Sequence, residues 1–108
     1  MIFLSGQGGR DERGRMDDFE TQLKQAFVNL RKGLAAAGAV PTDVVKITVL
    51  SVEHDAEKQQ LISTERNAMW PDQLIKPAST LIPVPRLASD DMLFEIDAIA
   101  ALYMSFCT

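Results

Sequence analysis

Five residues near the C-terminal end, Phe94-Glu95-Ile96-Asp97-Ala98, alternate apolar and acidic side chains, and no other stretch narrows the possible folds as far. A period of two belongs to a β-strand, so Glu95 and Asp97 share one sheet face while Phe94, Ile96 and Ala98 share the other. Acids set among apolar residues do not make a simple solvated strand. They line a cleft or an interface. This strand-like run extends from Met92 to Tyr103, and another, Pro77 to Leu87, precedes it across the polar break Ala88-Ser89-Asp90-Asp91. That break has the composition of a turn, so the two runs are expected to form a hairpin.

The rest of the chain supplies what such strands pack against. Ile2 to Ser5 reads as a short strand ended by Gly6-Gln7-Gly8-Gly9, where glycine permits positive φ or close backbone approach. The glycines lack the spacing of a dinucleotide fingerprint and the following Lys-Ser/Thr of a phosphate-cradling loop. Arg10 to Arg15 is a charged turn. Asp17 and Glu20 form a helix-capping pair, and Phe19, Leu23, Ala26, Phe27, Leu30 and Leu34 recur at helical steps up to Ala37, with Gly38 as C-terminal cap. Val44 to Val52 is β-branched nearly throughout and reads as a strand covered on both faces. Asp55 caps a second helix, Ala56 to Met69, whose weaker stripe marks it as the more exposed one; Trp70 behind it is a packing anchor and Pro71 lies past its end.

The order β–α–β–α–β–β predicts an α+β fold: one domain over residues 1–108, with two helices packed on one face of a mixed β-sheet. Helices cover one face only, and the partly apolar remainder points to self-association.

Charge and composition exclude several functions. A net charge of −4 argues against a nucleic-acid backbone as partner. The only cysteine, Cys107, rules out an internal disulfide and suits a reducing, cytoplasmic setting, and no stretch is long and apolar enough for a membrane span. The only histidine, His54, lies at a strand-to-helix turn and reads as a surface or capping residue; with one histidine and one cysteine there is no zinc-ligand pattern. The acidic pair remains. A carboxylate in a partly dry cleft can have a raised pKa and act as general acid or base on water, whereas an ion pair of Glu95 or Asp97 with Arg86 or Lys76 would make it structural.

Pro77-Ala78-Ser79-Thr80, Val84-Pro85-Arg86-Leu87, Glu95-Ile96-Asp97-Ala98-Ile99-Ala100 and the opening Ile2-Phe3-Leu4-Ser5-Gly6-Gln7-Gly8-Gly9 resemble, in order and over nearly the whole chain, the signature of the RidA/YjgF family. The resemblance implies a chorismate-mutase-like α+β fold and a homotrimer with a small-molecule ligand in each intersubunit cleft. It further implies cofactor-free, metal-free hydrolysis of reactive enamines or imines to a carbonyl compound and ammonia. Glu95 matches the family glutamate that handles the attacking water. The family arginine that forks the substrate carboxylate is replaced by Ser79, which offers one hydroxyl and no charge. Losing that fork should weaken binding of a 2-imino acid by several kcal/mol, at about 1.5–3 kcal/mol per charged hydrogen bond.

The expectation is therefore an enamine/imine deaminase with a non-standard substrate, held by Ser79, Thr80 and the backbone at Gly6 and Gln7, with Glu95 catalytic. The alternative is a non-catalytic metabolite-binding or regulatory trimer. The resemblance also implies a family N-terminal strand, with a cleft-lining aromatic, ahead of the segment that opens here at Met1: either the start is misassigned or truncated, or part of the usual cleft wall is lacking. A ribonuclease reading, which the family has also attracted, suits neither the acidity nor the lack of a histidine pair.

Overall fold

The computed structural model describes residues 1–10 and 18–102. The capping role read at Asp17, the turn through Arg13 and Arg15, the strand end at Tyr103 and Cys107 lie outside these residues. The stripe starting at Phe19 forms helix α1, Phe19–Ala36, with Phe19, Leu23, Ala26, Phe27, Leu30 and Leu34 all buried. Asp18 caps it, its carboxylate accepting from the Thr21 amide at 2.9 Å. Gly38, at φ 78°, turns the chain out of the helix. Helix α2, Ala56–Met69, starts at the cap predicted for it, Asp55, whose carboxylate accepts from the Lys58 amide at 2.8 Å. Trp70 is buried and its indole donates to the Pro41 carbonyl at 2.7 Å, confirming an anchor.

Four strands, β1 (Ile2–Gly8), β2 (Val44–Val52), β3 (Ala78–Val84) and β4 (Phe94–Ala100), form one sheet in the order β1-β4-β2-β3. β2 pairs antiparallel with β4 and parallel with β3, so the sheet is mixed, as expected. The expected hairpin does not form. β3 returns through α2 to lie parallel beside β2, and β4 inserts between β1 and β2. β1 also runs on through the glycines that were read as its end.

Both helices lie on one side. Phe94, Ile96, Ala98 and Ala100 of β4 and Ile47 and Val49 of β2 join the α1 stripe, Ile62 and Trp70 in a single core. The other face carries Phe3, Glu95, Asp97, Ile99, Lys46, Thr48, Leu50, Thr80 and Ile82, half-buried or exposed in the single chain, so β2 is covered on one face rather than two.

Gly9 sets how closely β1 docks on α1. A Cβ there would stand 2.4 Å from the Gln22 Cα and 2.6 Å from its carbonyl oxygen, so helix backbone would have to retreat. Gly9→Ala is expected to lower stability by about 1–3 kcal/mol, the range for overpacking, as measured by urea unfolding. An unchanged midpoint would mean that this approach is not required.

Candidate functional site

The acidic pair is organised by a β-bulge. Leu4 pairs with Ala98 and Gln7 with Ile96, so Ser5 and Gly6 together oppose Asp97. Gly6 takes φ 62°, a region that disfavours side chains. The bulge turns the Gly6 amide towards the open face, where it donates to Asp97 Oδ1 at 2.6 Å. Glu95 lies next to it: a Cβ on Gly6 would come within 3.1 Å of Glu95 Oε1. The glycine therefore provides both the backbone geometry and the space that the two carboxylates use. Gln7 Nε2 donates to the Ser5 carbonyl at 3.0 Å and braces the bulge.

Glu95 and Asp97 project from the same face, as their spacing requires, and burial raises the Glu95 pKa above the usual value of 4.5, with repulsion from Asp97 adding to it. Among the described residues neither acid forms a salt bridge. Arg86 instead pairs with Asp90 at 2.7 Å, and Lys76 Nζ donates to Gln73 Oε1 at 2.9 Å. Across the sheet, Thr48 stands opposite Asp97 and Leu50 opposite Glu95. Phe3, Ser5, Lys46, Thr48, Asp97 and Ile99 line a shallow depression of about 190 Å³ that stops one row short of Glu95.

The remaining expected site residues divide between the two faces. Thr80 registers with Thr48 on the open face and its hydroxyl accepts a hydrogen bond from Lys46 Nζ. Ser79 registers with Ile47 on the helix side and shares a groove with Arg66 of α2. Counting along the register, Ser79 is two strands and three residues from Glu95, about 14 Å at spacings of about 4.8 Å and 3.3 Å. Glu95, Gly6 and Gln7 are thus brought together, Thr80 shares their face, and Ser79 points away.

The family model described as Endoribonuclease L-PSP matches residues 1–102. The chain belongs to this family. It is 38% identical over 104 residues to the RutC family protein YjgH of Escherichia coli (strain K12), covering 94% of this chain and 76% of that protein. YyfB of Yersinia pestis, a Rid-family protein of unknown function, superposes with a TM-score of 0.86 at 30% identity, over 94% of this chain and 77% of its own. E. coli TdcF, solved with bound serine, superposes with a TM-score of 0.80 at 26% identity, over 94% and 80% of the two chains. These relatives establish the RidA/YjgF resemblance and its α+β fold.

Two residues that hold the site of this Rid-family chain escaped the sequence reading. Gln22, 1% exposed, donates from Nε2 to the Asp91 carbonyl and accepts at Oε1 from the Leu93 amide, both at 2.9 Å. It fixes the entry to β4 and hence the position of Glu95. A polar residue inside the apolar stripe between Phe19 and Leu23 was the available signal. Asn29 Nδ2 donates to the Gly8 carbonyl at 2.9 Å and holds the end of β1. His54, expected as a surface or capping residue, is instead half-buried and bridges two elements: its ring nitrogens lie 3.0 Å from Ser51 Oγ and 3.0 Å from Gln59 Oε1, tying β2 to α2, while Asp55 is the cap.

The raised Glu95 pKa has a definite sign for stability. Between the usual value and the raised one, the folded state keeps a proton that the unfolded state has released, so this group's contribution becomes less favourable as pH rises through that window. The expected outcome is that Glu95→Gln gains stability relative to the parent as pH rises from 4 to 7, read as the difference in unfolding midpoints. A pH-independent difference would show that the carboxyl is not desolvated. The Glu95 carboxyl signal in an NMR titration should likewise move at a pH above that of an exposed glutamate.

Proposed function

We infer that this chain is a cytosolic, homotrimeric Rid-type cleft protein that hydrolyses a reactive enamine or imine to the carbonyl compound and ammonia. The observation that carries this reading is Glu95: a half-buried carboxylate with a raised pKa, in no salt bridge among the described residues, beside the positive-φ Gly6. Water adds to the imine carbon while Glu95 takes one of its protons and passes it to the nitrogen, giving a carbinolamine. The carbinolamine hydroxyl then gives its proton to Glu95, which returns it to the nitrogen as the carbon–nitrogen bond breaks, the carbonyl forms and ammonia leaves. A carboxylate poised nearer neutrality does both halves better than one at the ordinary value. The Gly6 amide is held by Asp97, which fixes the wall of the site against which Glu95 rests.

The homotrimer is supported by two features. Apolar surface is exposed on the open face, with Phe3 69% and Ile82 43% exposed. In addition, Ser79 and Glu95 of one chain cannot touch one small ligand from opposite faces, so a site using both takes them from two copies.

Ser79 provides no charge, and the substrate is accordingly non-standard for this family. The test traps imino acids, made in place by an amino-acid oxidase, with semicarbazide. Suppressed trapping supports hydrolysis. Binding of the offered compounds without suppression would instead favour a non-catalytic metabolite-binding trimer.

A further inference from the structure

The helix-side groove at Ser79 has a chemistry that the acidic face does not share. Arg66, Lys76, Pro77, Ala78 and Ser79 line a concavity of about 290 Å³. Arg66 is half-buried in the last turn of α2, and Lys76 ends the segment that leads into β3. No carboxylate lines the groove, and among the described residues neither cation forms a salt bridge; the only side-chain partner of Lys76 is the neutral Gln73. Ser79 is exposed and lines the same groove. β3 is also the sheet's free edge, which leaves strand amides unpaired in the single chain.

On a chain of net charge −4, two uncompensated cations converging on one concavity create a local positive potential where the overall field is negative. A guanidinium, an ammonium and a hydroxyl lining one groove are complementary to an oxyanion. The guanidinium accepts two oxygens side by side, the ammonium acts as a point charge, and the hydroxyl donates a third bond.

We propose that Arg66, Lys76 and Ser79 form a small-oxyanion subsite that binds the carboxylate or phosphoryl end of the ligand. This deepens the reading of the chain as a metabolite-binding cleft protein and rests on it. The charge that Ser79 lacks is supplied by two residues of the same groove, one from the helix and one from the approach to the strand. The ligand is then anionic, but gripped from two sides rather than by one fork, which suits an anionic group of different reach from an α-carboxylate on a single arginine.

The test is an NMR titration of the full isotope-labelled chain at constant ionic strength with sodium pyruvate, inorganic phosphate and uncharged methyl pyruvate. Pyruvate or phosphate is expected to shift the amides of Arg66, Lys76, Ala78 and Ser79, and methyl pyruvate is not. Preference between the two anions identifies a carboxylate or a phosphoryl end. The Arg66→Gln/Lys76→Gln double variant should bind about tenfold more weakly, in keeping with contacts to charged groups that are partly solvated. Lys76→Gln alone, at an exposed position that the fold does not need, should weaken binding about threefold and keeps the test open if the double variant does not fold. Unchanged affinity in the variants, shifts confined to other residues, or no shift at the groove with either anion would overturn the proposal. The titration needs no turnover. Anion binding at the groove without suppressed semicarbazide trapping leaves the subsite standing and removes the hydrolytic reading. Undiminished hydrolysis of an anionic imine by the double variant does the reverse.

Discussion

Glu95→Gln is expected to reduce imine hydrolysis by about 10²–10⁴-fold, the contribution of a positioned general acid–base. The substitution is nearly isosteric, so the space beside Gly6 stays filled and the Gly6–Asp97 hydrogen bond is untouched. It also removes a carboxylate whose burial disfavours the charged form, so the variant should fold at least as well as the parent at neutral pH. Loss of activity with retained stability therefore isolates the chemistry. In the parent, the rate should climb with pH as Glu95 ionises, along a limb displaced above the usual glutamate value of 4.5. The semicarbazide assay measures both. A Glu95→Gln protein that suppresses trapping as well as the parent would end the assignment of this residue as the acid–base group.

The second large effect is on the fold. Phe94 is fully buried at the start of β4, its ring edge-on to Phe19 at 6.0 Å and stacked with Phe27 at 6.2 Å. Phe94→Ala removes the shared member of this aromatic set and leaves a cavity between the sheet and α1. The expected cost is about 3–5 kcal/mol. In a domain of this size that corresponds to a midpoint lower by roughly 12 °C or more, which a thermal melt at fixed pH measures. Phe3→Ala is the contrasting control. Phe3 lies on the open face at 69% exposure in the single chain, so its loss should leave the core intact and report only on association. If Phe94→Ala melts like the parent, the aromatic set does not support the sheet.

How much of this could be read in advance depended on the range of the interaction. Local periodicity carried far. The α1 stripe, the Asp55 cap and the shared face of Glu95 and Asp97 all follow from neighbours within a turn or a strand. The partners of strands did not. A polar break between two strand-like runs suggests a hairpin because adjacent strands pair most often. The correct signals were nevertheless present: Pro83 and Pro85 suit an edge strand, which β3 is. The nine residues from Pro85 to Leu93 also exceed a tight hairpin loop. For the site, Glu95, Gly6 and Gln7 were legible as a group once placed on adjoining strands. Ser79 was assigned beside them, but its face depends on a register with β2 that the sequence does not display. The same holds for Arg66, a helix residue that reaches a strand groove only through the crossover.

The place of β4 between β1 and β2 has a consequence for how the chain is made. Residues Ile2 and Ala100 are partners, as are Val44 and Ala100, so both halves of the sheet are joined by the strand nearest the C-terminal end. During synthesis on the ribosome, α1, β2, α2 and β3 can assemble as a parallel unit while β1 has nothing to pair with. The sheet closes only after Phe94–Ala100 has left the exit tunnel, so the central strand, and the Glu95 site with it, is the last part of the sheet to be put in place. High sequence separation of this kind slows closure, and until then two bare strand edges remain exposed to other nascent chains.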